Sequence, residues 1–153
     1  YDALGTSPAP PVRRVEELRP VQVHELSPGR HVVDLGKNIH GWVRLDALGP
    51  DGTELTLVHG EMLDADGAVT VEHLAPFDFL TREPLSPGQV DAVTSRGDDA
   101  DVFEPRHTTH GFQYVGVDGH PGPLGVEDVT GVVARVIRGP VDVEYRRHAG
   151  RAG

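Results

Sequence analysis

The sequence contains no cysteine, which excludes disulfide bonds, cysteine-ligated zinc and thiol catalysis. It has a single lysine and a formal net charge of −10, whereas proteins that bind nucleic acids usually carry a basic patch. No apolar run reaches the roughly 18 residues of a membrane-spanning helix, and no signal-peptide pattern opens the given residues. We therefore expect no nucleic-acid or membrane partner, and the cellular location stays unknown.

Turn-forming residues are abundant, with 19 glycines and 13 prolines, and this favours many short elements over long helices. The clearest strand places Val43, Leu45 and Ala47 on one face and Arg44 and Asp46 on the other. Turn signals recur about every 8 to 12 residues, a spacing typical of antiparallel sandwiches. The sequence therefore predicts an all-β fold, an antiparallel β-sandwich, in a single domain.

We expect residues 1–11 to be a linker, 12–146 to form the sandwich and 147–153 to be a frayed tail. The chain starts at Tyr1 rather than at methionine, so we expect it to be a piece of a longer protein. The predicted strands are Val12–Leu18, Val21–Leu26, His31–Leu35 (closed by Gly36), Trp42–Ala47, Thr53–Leu63, Ala68–Leu74, Gln89–Ser95, Val102–Arg106, Phe112–Asp118, Val126–Ile137 and Val141–Tyr145. Residues 75–88 are predicted to be a long loop.

Two sets of side chains could line a polar site. His59 and Glu61 continue the face of Leu55 and Leu57, so we expect both to be semi-buried on the packed side of the sheet. They would form either a polar site at the sandwich edge or a structural hydrogen-bonded pair, and the second is favoured. Trp42 is expected to face outward, either as a platform for a sugar or, the favoured reading, packed on a neighbouring segment.

Metal and catalytic motifs are weak. His107 and His110 form an HxxH pair, but a strand-turn segment does not place both rings on one face, so surface or hydrogen-bonded histidines are favoured. Asp64 and Asp66 resemble the start of a calcium loop whose remaining ligands are missing. No nucleophile elbow, phosphate-binding loop or dinucleotide motif occurs, and with 24 acidic residues a carboxylate pair by itself carries no information. We predict no metal, no cofactor and no catalytic residue.

Several segments match motifs of one known family, in the same order and with similar spacing over about residues 11–138. Each match would be weak alone, and together they are specific. The matching segments are Val33–Arg44 (DFGQN-x-x-GWV in the family), His59–Leu63 with Asp66 and Gly67 (HAE-x-L-x-x-DG), Gln89–Asp91 (Q-x-D), and Phe103–Arg106 followed by His110–Val115 (WEPRFTYHGFRYV). These segments resemble those of bacterial α-L-rhamnosidases. His107 departs from that family, which usually has an aromatic residue at that position.

This resemblance implies a concanavalin-like, jelly-roll β-sandwich domain. In the family, that domain lies between an N-terminal sugar-binding β-domain and a catalytic (α/α)₆ barrel. The resemblance also implies an activity for the family, the removal of terminal non-reducing α-L-rhamnose with inversion by carboxylates on the barrel. No segment resembles the barrel, so no catalytic residue is carried over. The implied partners are the neighbouring domains of a parent rhamnosidase.

Three hypotheses follow, in order of preference. The first is a non-catalytic module that supports the catalytic domain. The second is a carbohydrate-binding module contacting rhamnose-containing glycans through Trp42, His59, Glu61, His110 or Tyr114. The third is a self-sufficient enzyme whose turnover would depend on Glu61. Function is decided by sites and not by resemblance of fold, so the three stay open at this stage.

Overall fold

The computed structural model describes residues 10–46, 48–98 and 100–136. The strands in these ranges are β1 (Val12–Leu18), β2 (Gln22–Ser27), β3 (Arg30–Leu45), β4 (Glu54–Gly60), β5 (Met62–Leu63), β6 (Val69–Thr70), β7 (Val90–Thr94), β8 (His110–Asp118) and β9 (Val129–Val136). Two 3-10 helices span Glu72–Leu74 and Val126–Asp128. No helix in the described ranges is long and apolar enough to cross a membrane.

Seven strands form one antiparallel sheet in the order β1-β9-β3-β8-β4-β7, and β2 also pairs with β3. Strands β5 and β6 form a separate two-stranded sheet. Neighbours in the large sheet are often far apart in sequence, as β1 and β9 are, so long-range pairing holds the sheet together. The prediction of an all-β, antiparallel sandwich fold is confirmed.

The longest strand, β3, differs from the prediction. The expected strand ends at Gly36 and a new one starts at Trp42, whereas Arg30–Leu45 is continuous. The pairing of β3 with β8 shifts register between Asp34 and Ile39. Gly36 has a φ of +72°, and its N–H donates to Oδ1 of Asp34 at 2.6 Å. Glycine at an irregularity of this kind lets a strand bend without ending.

Residues 102–106 do not form the expected strand. Only Phe103 pairs with the sheet, through an isolated bridge to Leu45. The predicted long loop at 75–88 is confirmed, since it contains a single isolated bridge and otherwise turns and irregular backbone.

Two further predictions are too simple. Residues 68–74 and 126–136 each contain a 3-10 helix beside a strand, where a continuous extended segment was expected. The predicted strand Val141–Tyr145 and the residue Ala47 lie outside the described residues. The bounds of 12–146 proposed for the domain also stay a prediction.

The core lies on one face of the large sheet. Its largest fully buried apolar side chains are Val33, Val43, Leu45, Leu55, Leu57, Phe112, Val115, Val117 and Val129. Fully burying a side chain of this size contributes about 1.5–3 kcal/mol. Arg44, between the buried Val43 and Leu45, is partly exposed, so the alternation predicted for this strand is confirmed.

Candidate functional site

Three polar side chains meet at the core face of the sheet. His59 lies near the end of β4, Asp91 in β7 and His110 at the start of β8. Because β4 lies between β7 and β8, and Leu57 pairs with Asp91, alternation along β4 brings His59 to the same face as Asp91. The exposed fractions are 0% for His59, 9% for Asp91 and 6% for His110.

Hydrogen bonds orient His110 within this group. Its Nε2 lies 3.1 Å from Oδ2 of Asp91 and its Nδ1 lies 2.9 Å from Oε1 of Gln89. The His59 ring stacks on the His110 ring, with centroids 4.1 Å apart and planes at 16°, and its edge meets Phe112. Nε2 of His59 is 3.8 Å from Oδ2 of Asp91, too far for a hydrogen bond. We call His59, Gln89, Asp91 and His110 the histidine cluster.

His59 is neutral within this cluster. The pKa of His59 is lowered to about 3, first by burial and then by the charge of His110. The Gln89 backbone has the smaller effect of raising this pKa. Neither of its ring nitrogens has a hydrogen-bond partner among the described residues. The neutral ring therefore acts mainly as a packing surface between His110 and Phe112, at the cost of two unsatisfied polar atoms.

The same atoms invite comparison with a metal site. One ligand atom each from His59, Asp91 and His110 lies within 4.8 Å of the others, close enough for a single ion. An imidazole nitrogen binds a metal along the plane of its ring, and zinc places its ligands about 2.0–2.2 Å away in a tetrahedron. Two stacked rings direct their lone pairs side by side, so one ring would have to turn to bind the same ion. The observed geometry suits packing and hydrogen bonding better than metal ligation.

Glu61 does not join His59, so the expectation of a semi-buried pair is wrong. Its side chain is exposed, and its Oε1 accepts a hydrogen bond from Nδ2 of Asn38 at 2.7 Å. Strand β4 ends at Gly60, so the alternation that was extended to Glu61 stops one residue earlier. The acidic side chain that lies near His59 is instead Asp91, on the adjacent strand β7.

The other candidates lie apart. Tyr114 is partly buried on β8, where it pairs with Gly60. Gly41 pairs with His110, so Trp42, the next residue of β3, faces the opposite side of the sheet. The five candidate carbohydrate-binding residues therefore do not form one site, and their role in binding sugar stays a prediction.

Trp42 borders an open cleft on that opposite face. Its Nε1–H donates to Oε1 of Glu104 at 2.9 Å, and the same oxygen accepts a hydrogen bond from the Arg14 guanidinium. The guanidinium carbon lies 5.9 Å from the centroid of the Trp42 ring, within cation–π range. The cleft has a volume of about 480 Å³ and is lined by Arg14, Trp42, Val102, Glu104, Pro105 and Arg106.

Sequence reasoning missed Asp91 as the neighbour of His59 and Glu104 as the partner of Trp42. Both residues lie in segments that carried the family resemblance, Gln89–Asp91 and Phe103–Arg106. That signal could have marked them as structurally important, although it does not say which side chains they meet.

Comparison with known proteins places the chain in context. The family model described as the bacterial alpha-L-rhamnosidase concanavalin-like domain matches residues 24–135. An alpha-L-rhamnosidase of Streptomyces avermitilis is 40% identical over 123 residues, which are 80% of this chain and 11% of that protein. An alpha-L-rhamnosidase of Formosa agariphila is 27% identical over 123 residues, covering 76% of this chain and 12% of that protein.

Solved structures agree. The Streptomyces avermitilis alpha-L-rhamnosidase complexed with L-rhamnose superposes with a TM-score of 0.72 at 38% identity, over 84% of this chain and 12% of that chain. An alpha-L-rhamnosidase from Dictyoglumus thermophilum gives a TM-score of 0.70 at 29% identity, over 84% of this chain and 14% of that chain. The chain thus spans between a tenth and a seventh of these relatives.

Proposed function

Because the chain belongs to the family of bacterial alpha-L-rhamnosidase concanavalin-like domains, we propose that it is a non-catalytic module of an α-L-rhamnosidase. In this proposal it packs against neighbouring domains of the parent protein and supports a catalytic domain that hydrolyses terminal α-L-rhamnose.

The observation that carries this proposal is the share of the relatives that the chain covers. It matches most of its own length to 11% of the Streptomyces avermitilis protein, which leaves most of that protein to other parts of the polypeptide. The histidine cluster supports the same conclusion. His59 and His110 are too deeply buried to meet a glycan, and the hydrogen bonds of His110 are made within the cluster.

A surface on the 75–88 loop supports packing against another domain. Phe79 and Leu80 are 87% and 95% exposed, and Phe77 and Leu85 are each about half exposed. The Phe77 and Phe79 rings contact each other edge to face at 5.7 Å. Large apolar side chains that cluster on a surface usually mark an interaction site.

An activity assay tests the absence of catalysis. The purified chain is incubated with p-nitrophenyl α-L-rhamnopyranoside, with the intact Streptomyces avermitilis rhamnosidase as positive control. We expect release of nitrophenol at the uncatalysed rate. Turnover by the purified chain that disappears in the Glu61→Gln variant would overturn the proposal and favour a self-sufficient enzyme.

A further inference from the structure

We infer that the cleft beside Trp42 is a binding subsite for a neutral pyranosyl residue of a glycan. This inference goes beyond the proposed function, which assigns the chain a role in packing against other domains. It concerns a surface on the other side of the sheet from the histidine cluster.

The aromatic ring that borders the cleft is held in place. The indole N–H is bound by Glu104, and the Arg14 guanidinium lies over the ring. Arg14 is itself held by Glu17, with Nη1 at 2.7 Å from Oε1. Trp42 is only partly buried, so a fixed, accessible part of the ring is presented to the cleft. A preorganised platform avoids the entropy cost of ordering the side chain when a ligand binds.

The size and composition of the cleft suit a small, polar ligand. A volume of about 480 Å³ lies within the range of about 300–1,000 Å³ that is usual for small-molecule sites. The lining is mostly polar, and Trp42, Val102 and Pro105 supply a smaller apolar part that matches the C–H face of a pyranose ring. Small-molecule sites are usually lined mainly by apolar groups, so this polar lining favours a ligand rich in hydroxyl groups.

Polar groups in the cleft retain hydrogen-bonding capacity that they do not use within the described residues. Oε2 of Glu104 has no hydrogen bond from any described residue, since both contacts of this carboxylate use Oε1. Arg106 is exposed and forms no ion pair within the described ranges. A carboxylate accepts hydrogen bonds from hydroxyl groups, and a guanidinium donates to them in a planar fork. Together they suit the neighbouring hydroxyls of a sugar.

The charges favour a neutral ligand over an anionic one. The positive charge of Arg14 is already balanced by Glu17 and Glu104. A carboxylate or sulfate on the ligand would approach Glu104 and the field of a chain with a formal net charge of −10. Of the two arginines that line the cleft, Arg106 has no acidic partner among the described residues and is the one that would attract an anion. The cleft is therefore better matched to hydroxyl groups than to an anion.

The chain contains one tryptophan, so its indole N–H gives a single, unambiguous NMR signal from this cleft. The probes are methyl α-L-rhamnopyranoside, methyl α-D-glucopyranoside and sodium D-glucuronate, each titrated into the ¹⁵N-labelled chain. We expect at least one neutral glycoside to shift the Trp42 indole signal saturably, and glucuronate to bind more weakly. The absence of a saturable shift with all three probes, or tighter binding of glucuronate, would overturn the inference.

Matched variants separate contact from a general change in charge. Arg106→Ala removes a cleft donor and should weaken binding roughly tenfold, as expected for loss of a hydrogen bond from a charged group. Arg13→Ala removes an equal charge from the face of β1 opposite to the cleft residue Arg14, and this variant should bind as the unmodified chain does. Equal weakening by both variants would contradict the inference. Failure of this inference would leave the proposed function untouched, because that proposal rests on the share of the relatives that the chain covers.

Discussion

Acid should destabilise this domain in part through His59. The side chain is fully buried and its pKa is about 3, against about 6.5 in an unfolded chain. Because the folded-state pKa is the lower one, the unfolded chain takes up the proton first. The stability is therefore complete above about pH 6.5 and falls as the pH decreases towards 3. This shift corresponds to about 5 kcal/mol at the acid limit, of which about 3 kcal/mol is lost by about pH 4.5.

The assay is urea unfolding of the chain and of His59→Gln, followed by circular dichroism at about pH 7.5 and about pH 4.5. Between these conditions the free energy of unfolding of His59→Gln should fall by about 3 kcal/mol less than that of the unmodified chain. His31, whose pKa is also lowered, first by burial, is present in both proteins. The exposed His107 supplies the control His107→Gln, which should follow the unmodified chain. Parallel pH dependences for all three proteins would refute a buried, neutral His59.

Two further predictions concern packing. Gly41→Ala should lower the free energy of unfolding in urea by at least about 3 kcal/mol, because a Cβ there would lie 1.8 Å from the Val132 carbonyl oxygen. The control is Gly122→Ala, where an added Cβ would meet no atom within 4 Å and the stability should not change. Equal effects of the two substitutions would contradict this geometry. Replacing the exposed Phe79 and Leu80 by serine should leave the melting temperature of this chain within about 2 °C but lower that of the proposed parent rhamnosidase, and equal losses in both proteins would argue against a docking surface.

Local patterns predict much of the strand content. Strand β1 has the predicted bounds Val12–Leu18, and the alternation of Val43 and Leu45 correctly identifies their buried face. The continuity of β3 could not be predicted in this way, because Gly36 is a turn signal when only its neighbours are considered. Strand β8 pairs with β3 both before and after the irregularity, and these hydrogen bonds keep β3 continuous.

The candidate site was only partly predictable for a related reason. Burial of His59 follows from the face that it shares with Leu57, and the structure confirms it. Extending the same face to Glu61 fails because the strand ends at Gly60. The contact with Asp91 depends on the register between β4 and β7, two strands separated by the long loop. Periodicity within one strand carries no information about that register.

The position of the histidine cluster explains why the resemblance identifies the family without identifying a catalytic residue. Three of the matching segments, those containing His59, Asp91 and His110, come from three adjacent strands and meet in the interior of the domain. A fourth contributes Gly41, which pairs with His110 and leaves no room for a side chain beside β9. Residues in such positions are restricted by packing and by the cost of unpaired polar groups, whatever the domain does. Packing therefore accounts for these buried motif residues, whereas Trp42, Glu104 and Arg106, which also lie in matching segments, line the exposed cleft, where a binding role is better sought.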